Sequence, residues 1–359
     1  MQQDADVERR LARIGWRPGP MPPDAPADAS IARVVAQHRA GYELHDGLAA
    51  FNAQPAPRFI KRGIDPAERP AVGDFVLVAP GSPPQIEVIL PRRTVLTRAA
   101  AGERHQRQII AANIDAVFVL NGLDGDLNAA RIERYLVIVE GSGAVPVVVL
   151  TKLDRADDAE AAIATLKSRL PQHVEVIAIN AKSPESIAPL MKYLAAGNTA
   201  VLVGSSGVGK STLTNTLLGE ARQATNAVRE HDSRGRHTTT HRALIALPSG
   251  ACLIDTPGMR ELKLTGEEDL AQGQFADIEA LAQECRFGDC SHQSEPGCAV
   301  RAALADGRLA PERWQNYQKL RGELAAAADS LEVQMRRKSE TRVLTKTLTR
   351  RLNEKYGKR

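Results

Sequence analysis

Residues 204–211 have the residue types and spacing of a phosphate-binding loop. They match the pattern G-x-x-x-x-G-K-[ST] at every position. Glycine allows backbone torsions that turn successive N–H groups toward one anion, and the lysine of the pattern can reach the β- and γ-phosphates of a nucleotide. An apolar run (TAVLV) precedes the loop and a helix-like stretch (STLTNTLLG) follows it, which is the usual context of such loops. We therefore predict a nucleoside triphosphate site formed by Gly204, Ser205, Ser206, Gly207, Val208, Gly209, Lys210, Ser211 and Thr212.

A carboxylate suited to magnesium follows downstream. The apolar run ACLIDTPG ends in Asp255-Thr256-Pro257-Gly258. A carboxylate at a strand end can hold Mg²⁺ through water, while the hydroxyl of Ser211 binds the ion directly. Gly258 allows the backbone to approach the γ-phosphate. We predict that Asp255 and Gly258 belong to the nucleoside triphosphate site and that Ser211 is a Mg²⁺ ligand.

Two further segments indicate which base is bound. An aspartate at position 154 can accept hydrogen bonds from N1–H and from the exocyclic amine of guanine, whereas adenine has an acceptor at N1 and would leave the carboxylate unpaired. The turn at 180–182 can present backbone N–H groups to the guanine O6. Both segments follow apolar strand-like runs, and ligands of open α/β sheets bind outside the carboxyl ends of the strands. We predict a guanine site formed by Thr151, Lys152, Leu153, Asp154, Asn180, Ala181 and Lys182.

These residues need a scaffold of parallel strands, and the sequence supplies it after Ile109. Apolar runs alternate there with helical stretches, which is typical of a parallel sheet covered by helices. Before it, short alternating runs separated by Gly and Pro favour a small β-barrel, with an OB fold as the leading candidate. After about Gly266 the pattern is helical. The predicted division is an N-terminal arm (1–29), an OB-like barrel (30–107), a GTPase domain (108–268), a zinc-binding helical module (269–339) and a basic tail (340–359).

Three of the four cysteines lie within fourteen residues and indicate a metal site. Cys285, Cys290, His292 and Cys298 supply three thiolates and one imidazole, a set that suits a closed, tetrahedral, structural Zn²⁺ site. A small helical module has a limited core, and metal binding can supply folding free energy. The remaining cysteine, Cys252, lies inside a strand-like run and is expected in the core.

The order of the motifs is unusual, because both base-specific segments precede the phosphate loop. In this order, and in the segment Gly235-Arg236-His237-Thr238-Thr239-Thr240, the chain resembles the ribosome small-subunit-dependent GTPase A (RsgA) family of circularly permuted GTPases. The barrel-first, zinc-last layout is also similar, over roughly residues 30–340. The resemblance implies a GTPase that binds the small ribosomal subunit and its rRNA, is stimulated by it, and acts late in its maturation. Thr151 and Asn180 stand where the family usually has Asn and Ser, respectively.

The resemblance also bears on hydrolysis. The residue after the DTPG segment is Met259, which cannot orient a water molecule as the glutamine of Ras-like enzymes does. The family resemblance implies His237 as the catalytic residue, since an imidazole can act as a base near neutral pH. It also implies one threonine as a Mg²⁺ ligand, for which Thr239 is chosen, although the sequence does not separate it from Thr238 and Thr240.

Composition and charge limit the partners. The chain has 359 residues, 43% of them apolar, and no apolar run long enough to span a bilayer. Its charged N-terminus has no apolar signal core, so we expect a cytoplasmic protein without a membrane partner, and a monomer. Residues 336–359 contain ten Lys and Arg against two Glu, although the whole chain is only +4. A basic tail on a mildly acidic body fits a polyanionic partner such as RNA.

Other functions remain open at this stage. A permuted GTPase could act on the large subunit or another RNA particle. A P-loop kinase using ATP and an RNA chaperone that uses GTP only as a clamp belong to different classes. Asp154 and the threonine-rich segment disfavour the kinase, whereas Met259 gives the chaperone some support.

Overall fold

The protein is described by a computed structural model, which covers residues 2–23, 25–26, 28–38, 40–61, 64–99, 107–219, 243–256, 264–270 and 273–329. None of the helices in these ranges combines the length and apolar character that a membrane span requires. The predicted residues His237, Thr238, Thr239, Thr240 and Gly258 and the basic tail lie outside the described residues.

The N-terminal part is a closed five-stranded barrel, as the sequence predicted. Strand β1 pairs with β2, β2 with β3, β3 with β5, β5 with β4, and β4 again with β1. β3 and β5 are parallel and the other pairs are antiparallel, an arrangement consistent with the five-stranded OB architecture. The strands are β1 (Ser30–His38), β2 (Gly41–His45), β3 (Ala50–Pro55), β4 (Phe75–Ala79) and β5 (Gln85–Ile89). Helix α1 (Gln2–Ala12) precedes them, and the short α2 (Pro57–Ile60) follows β3.

A two-stranded hairpin connects the barrel to the rest of the chain. It consists of β6 (Val95–Ala99) and β7 (Arg107–Ala112). Leu96 and Ile110 are fully buried and pack in the same hydrophobic core as Val117 and Tyr135 of the following domain. The hairpin, which the predicted boundary at residue 107 divides, therefore contacts the core of the GTPase domain.

Six strands of a continuous eleven-stranded sheet carry the nucleotide motifs. Their order is β10-β9-β8-β11-β13-β12, and all of them except β12 are parallel. β12 pairs antiparallel with β1 of the barrel, Ala243 with Ala36, so the sheet continues into the barrel. The strands are β8 (Ala116–Gly122), β9 (Val145–Thr151), β10 (Glu175–Ala178), β11 (Thr199–Gly204), β12 (Ala243–Ala246) and β13 (Cys252–Asp255). Helix α3 (Ala129–Glu140) follows β8, α4 (Ala159–Lys167) follows β9, and α5 (Lys210–Leu218) follows β11. The strand before the phosphate loop thus lies in the middle of the sheet, with the base-specific strands to one side.

Both faces of this sheet are covered. All seven residues of β8 are buried, as expected for a strand with apolar layers on either side. Val117 and Val119 belong to one hydrophobic core, and Phe118 and Leu120 belong to the other. The alternation follows from the two-residue period of a strand.

The C-terminal helices pack on one of these faces. They are α6 (Ala276–Gln283), α7 (Ala299–Ala305) and α8, which is helical from residue 311 to the last described residue, 329. Ile278, Val300 and Tyr317 share a core with residues of α3. Trp314, Tyr317 and Leu320 are buried, so this face of α8 is a packing surface.

A buried carboxylate joins α3 to α8. Glu133 is fully buried, and its carboxylate accepts hydrogen bonds from Arg169 Nε (3.0 Å) and Nη2 (3.2 Å), Arg313 Nη1 (3.2 Å) and Asn316 Nδ2 (2.5 Å). Arg313 also donates to the carboxylate of Asp277 on α6. The attachment of the C-terminal helices is therefore ionic as well as apolar.

A buried arginine joins the barrel to the phosphate-loop strand. Arg33 of β1 is fully buried and donates to the carbonyl oxygens of Ile14, Gly73 and Asn113 and to Thr199 Oγ1 at the start of β11. Its guanidinium carbon lies 4.9 Å from the centre of the Phe75 ring. Burial lowers the pKa of Arg33 to about 10. The barrel is thus tied to the sheet that bears the nucleotide motifs.

Candidate nucleotide-binding site and metal cluster

The phosphate loop has the backbone that its glycines predict. It connects β11 to the first turn of α5, where Ser211 and Thr212 lie. Gly204, Gly207 and Gly209 have φ values of 148°, 79° and 100°, a region that other residues rarely adopt. A Cβ at Gly204 would lie 2.5 Å from the carbonyl oxygen of Leu120 in β8, so only glycine allows this close approach.

The lysine of the loop lies over the loop backbone. Lys210 Nζ donates to the carbonyl oxygens of Gly204 and Ser205, at 2.7 Å each. Burial lowers the pKa of this ammonium group, and the negative charge of Asp255 acts in the opposite direction. A half-buried cation at a helix N-terminus favours an anionic ligand.

Asp255 is held at the end of β13, next to the loop. Asp255 is buried, and Thr256 Oγ1 donates to the carbonyl oxygen of Leu202 in the adjacent strand (2.8 Å). This bond fixes the chain as it leaves the sheet. Residues 257–263, which include Gly258, and residues 220–242, which include His237 and Thr239, lie outside the described ranges, so the roles of these three residues stay predictions.

The base-specific strand is bonded directly to the phosphate loop. Thr151 Oγ1 lies 2.6 Å from the carbonyl oxygen of Val208 and 3.3 Å from that of Asn121. Thr151 is fully buried. The threonine that replaces the usual asparagine of this motif therefore connects the two predicted halves of the site.

The remaining residues of the 151–154 segment form a tight turn. Lys152 has left-handed backbone torsions (φ 59°, ψ 37°), and a 3₁₀ turn follows at Leu153–Arg155. The N–H of Leu153 donates to the carbonyl oxygen of Ile179, which follows β10. Asp154 is exposed on this turn. The segment is thus anchored by its backbone, with the aspartate accessible to a ligand.

The 180–182 turn has one free N–H group among its described contacts. The N–H of Asn180 donates to Ser186 Oγ, and that of Lys182 donates to the Asn180 side chain. The carbonyl oxygen of Ala181 accepts a hydrogen bond from Thr216 Oγ1 on α5 (2.6 Å). The N–H of Ala181 is therefore the donor that these contacts leave to a base.

Two carboxylates at this edge were not among the predicted residues. Asp124 and Asp126 lie in the loop between β8 and α3. Asp124 Oδ2 lies 2.6 Å from Lys152 Nζ, and Asp126 Oδ2 lies 3.0 Å from Ser205 Oγ. The signal in the sequence was their position directly after a buried strand, at the edge where the other motifs lie.

The four predicted metal ligands converge. Their ligand atoms all lie within 4.8 Å of one another. His292 Nδ1 is 3.5 Å from the sulfurs of Cys285 and Cys298, which are 3.9 Å apart. A tetrahedral site with Zn–S bonds of about 2.3 Å requires ligand separations of about 3.8 Å. The spacing thus fits a metal ion, and these cysteines are free thiols.

The cluster is supported by the helices around it. His292 packs edge-on against Trp314 of α8, with 5.6 Å between ring centres. Cys298 is the N-cap of α7. Cys252 is buried in β13, as expected, and does not belong to the cluster. A metal ion here would connect the chain just after α6 to the start of α7.

Comparison with known proteins agrees with this organisation. Residues 89–265 match the RsgA GTPase family model. Curated proteins named small ribosomal subunit biogenesis GTPase RsgA are similar: that of Xanthomonas campestris pv. campestris is 58% identical over 331 residues, covering 89% of this chain and 90% of the relative. The protein of that name from Xanthomonas oryzae pv. oryzae is 56% identical over 331 residues, which again cover 89% of this chain and 90% of the relative.

Solved structures share the fold. YjeQ from Thermotoga maritima superposes with a TM-score of 0.60 at 24% identity, covering 83% of this chain and 99% of that chain. YloQ, described as a circularly permuted GTPase, superposes with a TM-score of 0.56 at 24% identity, covering 84% and 96%. The predicted class, a permuted P-loop GTPase domain with a preceding barrel and a following Cys/His module, is confirmed. The chain belongs to the RsgA GTPase family.

Proposed function

We propose that this protein binds the small ribosomal subunit and hydrolyses GTP to GDP and phosphate during the late maturation of that subunit, with the subunit stimulating the reaction. Relatives of 56–58% identity carry the name small ribosomal subunit biogenesis GTPase. The observation that carries the proposal is the hydrogen bond from Thr151 to the carbonyl oxygen of Val208, because it brings the base-specific and phosphate segments together.

The nucleotide would lie along the carboxyl edge of the sheet. Lys210 would bind the β- and γ-phosphates, Asp154 would bind the guanine edge, and the N–H of Ala181 would donate to O6. The hydroxyl of Ser211 and the carboxylate of Asp255 are oxygen donors, the kind that Mg²⁺ prefers. When bound, Mg²⁺ would neutralise charge on the phosphates.

Hydrolysis would depend on a residue outside the phosphate loop. We assign the positioning of the attacking water to His237 and the second protein ligand of Mg²⁺ to Thr239, both from the family resemblance. Met259, which follows the DTPG segment, has no group that could hold a water molecule. Slow intrinsic turnover follows from the lack of a water-holding group at Met259, and stimulation by the ribosomal subunit is proposed from the family resemblance.

The Cys₃His cluster would hold one structural Zn²⁺ ion. Its four protein ligands complete a tetrahedron, so no coordination position would remain for substrate. Each thiolate and the imidazole would bind the ion directly, and binding would stabilise the loop from 285 to 298. The zinc therefore has a structural role in this proposal.

The barrel, the C-terminal module and the basic tail would contact rRNA. Arg92 is less available for this, because it is bonded to the buried Asp74. The pairs of Arg93 with Asp115 and of Arg107 with Glu267 are partly exposed, and such pairs are weak. We also propose that the protein is a cytoplasmic monomer. Its domain boundaries would be those that the sequence indicated, except that the β6–β7 hairpin belongs to the GTPase domain, because its residues pack in the core of that domain.

Phosphate release from GTP and from ATP tests the proposal. It is measured with and without purified small subunits, with large subunits as the control. We expect strong stimulation of GTP turnover by small subunits alone. If neither subunit stimulates turnover, the ribosomal assignment is wrong. If ATP is used as well as GTP, the guanine assignment is wrong.

A variant separates chemistry from binding. His237→Ala should abolish stimulated turnover and leave GTP affinity close to that of the wild type. Equal losses of turnover and affinity would contradict the role assigned to His237.

A further inference from the structure

The loop between β8 and α3, residues 123–128, contacts both halves of the nucleotide site. Its Asp124 is ion-paired with Lys152 of the base-specific segment (2.6 Å). Its Asp126 accepts a hydrogen bond from Ser205 of the phosphate loop (3.0 Å). Neither carboxylate belongs to a nucleotide-binding motif, yet each lies against one.

The end of β8 is shaped to admit the Asp124–Lys152 pair. A Cβ at Gly122 would lie 2.5 Å from Asp124 Oδ1 and 3.6 Å from Lys152 Cδ. Gly122 is also the partner of Thr151 in the β8–β9 pairing. The ion pair therefore occupies space that any larger residue at 122 would fill.

Lys152 lies in a strained turn that the ion pair with Asp124 can stabilise. Its left-handed backbone is unfavourable for a non-glycine residue, so the turn needs contacts that stabilise it. The side chains of Lys152 and Asp124 are only 26% and 24% exposed. The hydrogen bond from Lys152 lowers the pKa of Asp124, so this carboxylate stays ionised at neutral pH.

The loop itself is fixed at its other end. Asp126 is paired with Arg131 in the first turn of α3, at 2.9 Å. Asn128 caps that helix by accepting a hydrogen bond from the N–H of Arg131 (2.9 Å), and its own N–H donates to Asn121 Oδ1 (3.3 Å). Asp124 thus extends from a loop that is bonded to α3, to β8 and to the phosphate loop.

We propose that Asp124 is a positioning residue for nucleotide binding, which fixes the Lys152 side chain at the base end of the site. This inference rests on the proposed function in one respect, namely that the segment containing Lys152 binds guanine. Asp124 does not touch the nucleotide in this proposal and acts only through Lys152.

A double-mutant cycle tests it. Affinity for a fluorescent GDP analogue and for its GTP counterpart is measured for the wild type, Asp124→Asn, Lys152→Met and the double variant. The interaction is a partly buried, charge-assisted bond, so we expect Asp124→Asn to weaken binding about 3- to 10-fold. The factor should be equal for GDP and GTP, because both share the base. In the Lys152→Met background, Asp124→Asn should have no further effect.

Controls separate positioning from folding. Asp157→Asn makes the same charge change at an exposed carboxylate that follows the 151–154 segment. This variant should bind both nucleotide analogues as the wild type does. Thermal unfolding without nucleotide is recorded for each variant. If Asp124→Asn is poorly folded, Asp124→Ser replaces it in the cycle.

The outcomes are distinct. Additive losses in the double variant, an unchanged affinity in Asp124→Asn, or a loss confined to GTP would each overturn the positioning role. A wild-type protein that binds neither analogue would instead overturn the proposed function.

Discussion

Replacing Glu133 by glutamine should loosen the attachment of the C-terminal helices to the GTPase domain. Glu133→Gln keeps the side-chain volume but removes the charge that faces Arg169 and Arg313. Breaking a buried ion pair by removing one partner costs about 3–5 kcal/mol, since the other charge is left uncompensated. Arg313 keeps Asp277, and Arg169 is partly exposed (21%). We therefore expect Glu133→Gln to lower the free energy of unfolding by about 3 kcal/mol, the lower end of that range.

The same interface supplies a matched control. Glu323 of α8 is paired with Arg134 of α3 at 2.6 Å, but its side chain is 36% exposed. Exposed pairs contribute about 0.2–1 kcal/mol. Glu323→Gln should therefore lower the free energy of unfolding by about 1 kcal/mol at most. The two variants should differ by at least about 2 kcal/mol.

Urea unfolding followed by the fluorescence of Trp314 measures the difference. The chain has two tryptophans, so the variants are made in a Trp16→Phe background, in which Trp314 alone reports on α8. The free energies are compared at equal m-values. Equal losses for the two variants, or a loss below about 1 kcal/mol for Glu133→Gln, would refute the argument from burial.

Three further outcomes are expected. Gly204→Ala should lower the free energy of unfolding by more than about 2 kcal/mol in a thermal or urea melt, because its Cβ would meet the Leu120 carbonyl oxygen at 2.5 Å. Thr151→Val should weaken GDP binding about 3- to 10-fold in a titration, since it leaves the buried Val208 carbonyl oxygen without this donor. Chelation of the proposed Zn²⁺ ion should lower the Tm of the transition reported by Trp314, because metal binding would supply folding free energy to the helices around the cluster. Wild-type stability of Gly204→Ala would contradict the argument from the close approach to Leu120, and wild-type GDP affinity of Thr151→Val would contradict the role of its hydrogen bond. A Tm that the chelator leaves unchanged would contradict a structural role for the metal.

The sequence predicted the scaffold because its signals are local. Alternation of strands and helices, the phosphate loop and the Cys/His spacing are each contained in a short segment, and the arrangement of the strands follows from parallel-sheet rules. The small barrel was predicted for the same reason, from short alternating runs separated by Gly and Pro.

Contacts between distant segments were not predictable in this way. The Asp124–Lys152 pair joins residues that become neighbours only because β8 and β9 pair with Gly122 opposite Thr151. Arg33 is polar, and hydropathy would place it at the surface. It is buried because carbonyl oxygens from three separate segments meet around it. The packing of the β6–β7 hairpin against the GTPase core likewise depends on tertiary contacts.

The strand order has a consequence during synthesis. Of the six strands that carry the nucleotide motifs, β8 is made first, but its partner β11 begins roughly 80 residues later. This distance corresponds to about 4–16 s of translation at about 5–20 residues per second. During this interval β8, apolar on both faces, has an unpaired edge that can associate with other chains. Bound nucleotide cannot stabilise the nascent domain until β13 and Asp255 have also emerged. Placing the base-specific strands first thus leaves one edge of β8 unpaired until β11 has been made.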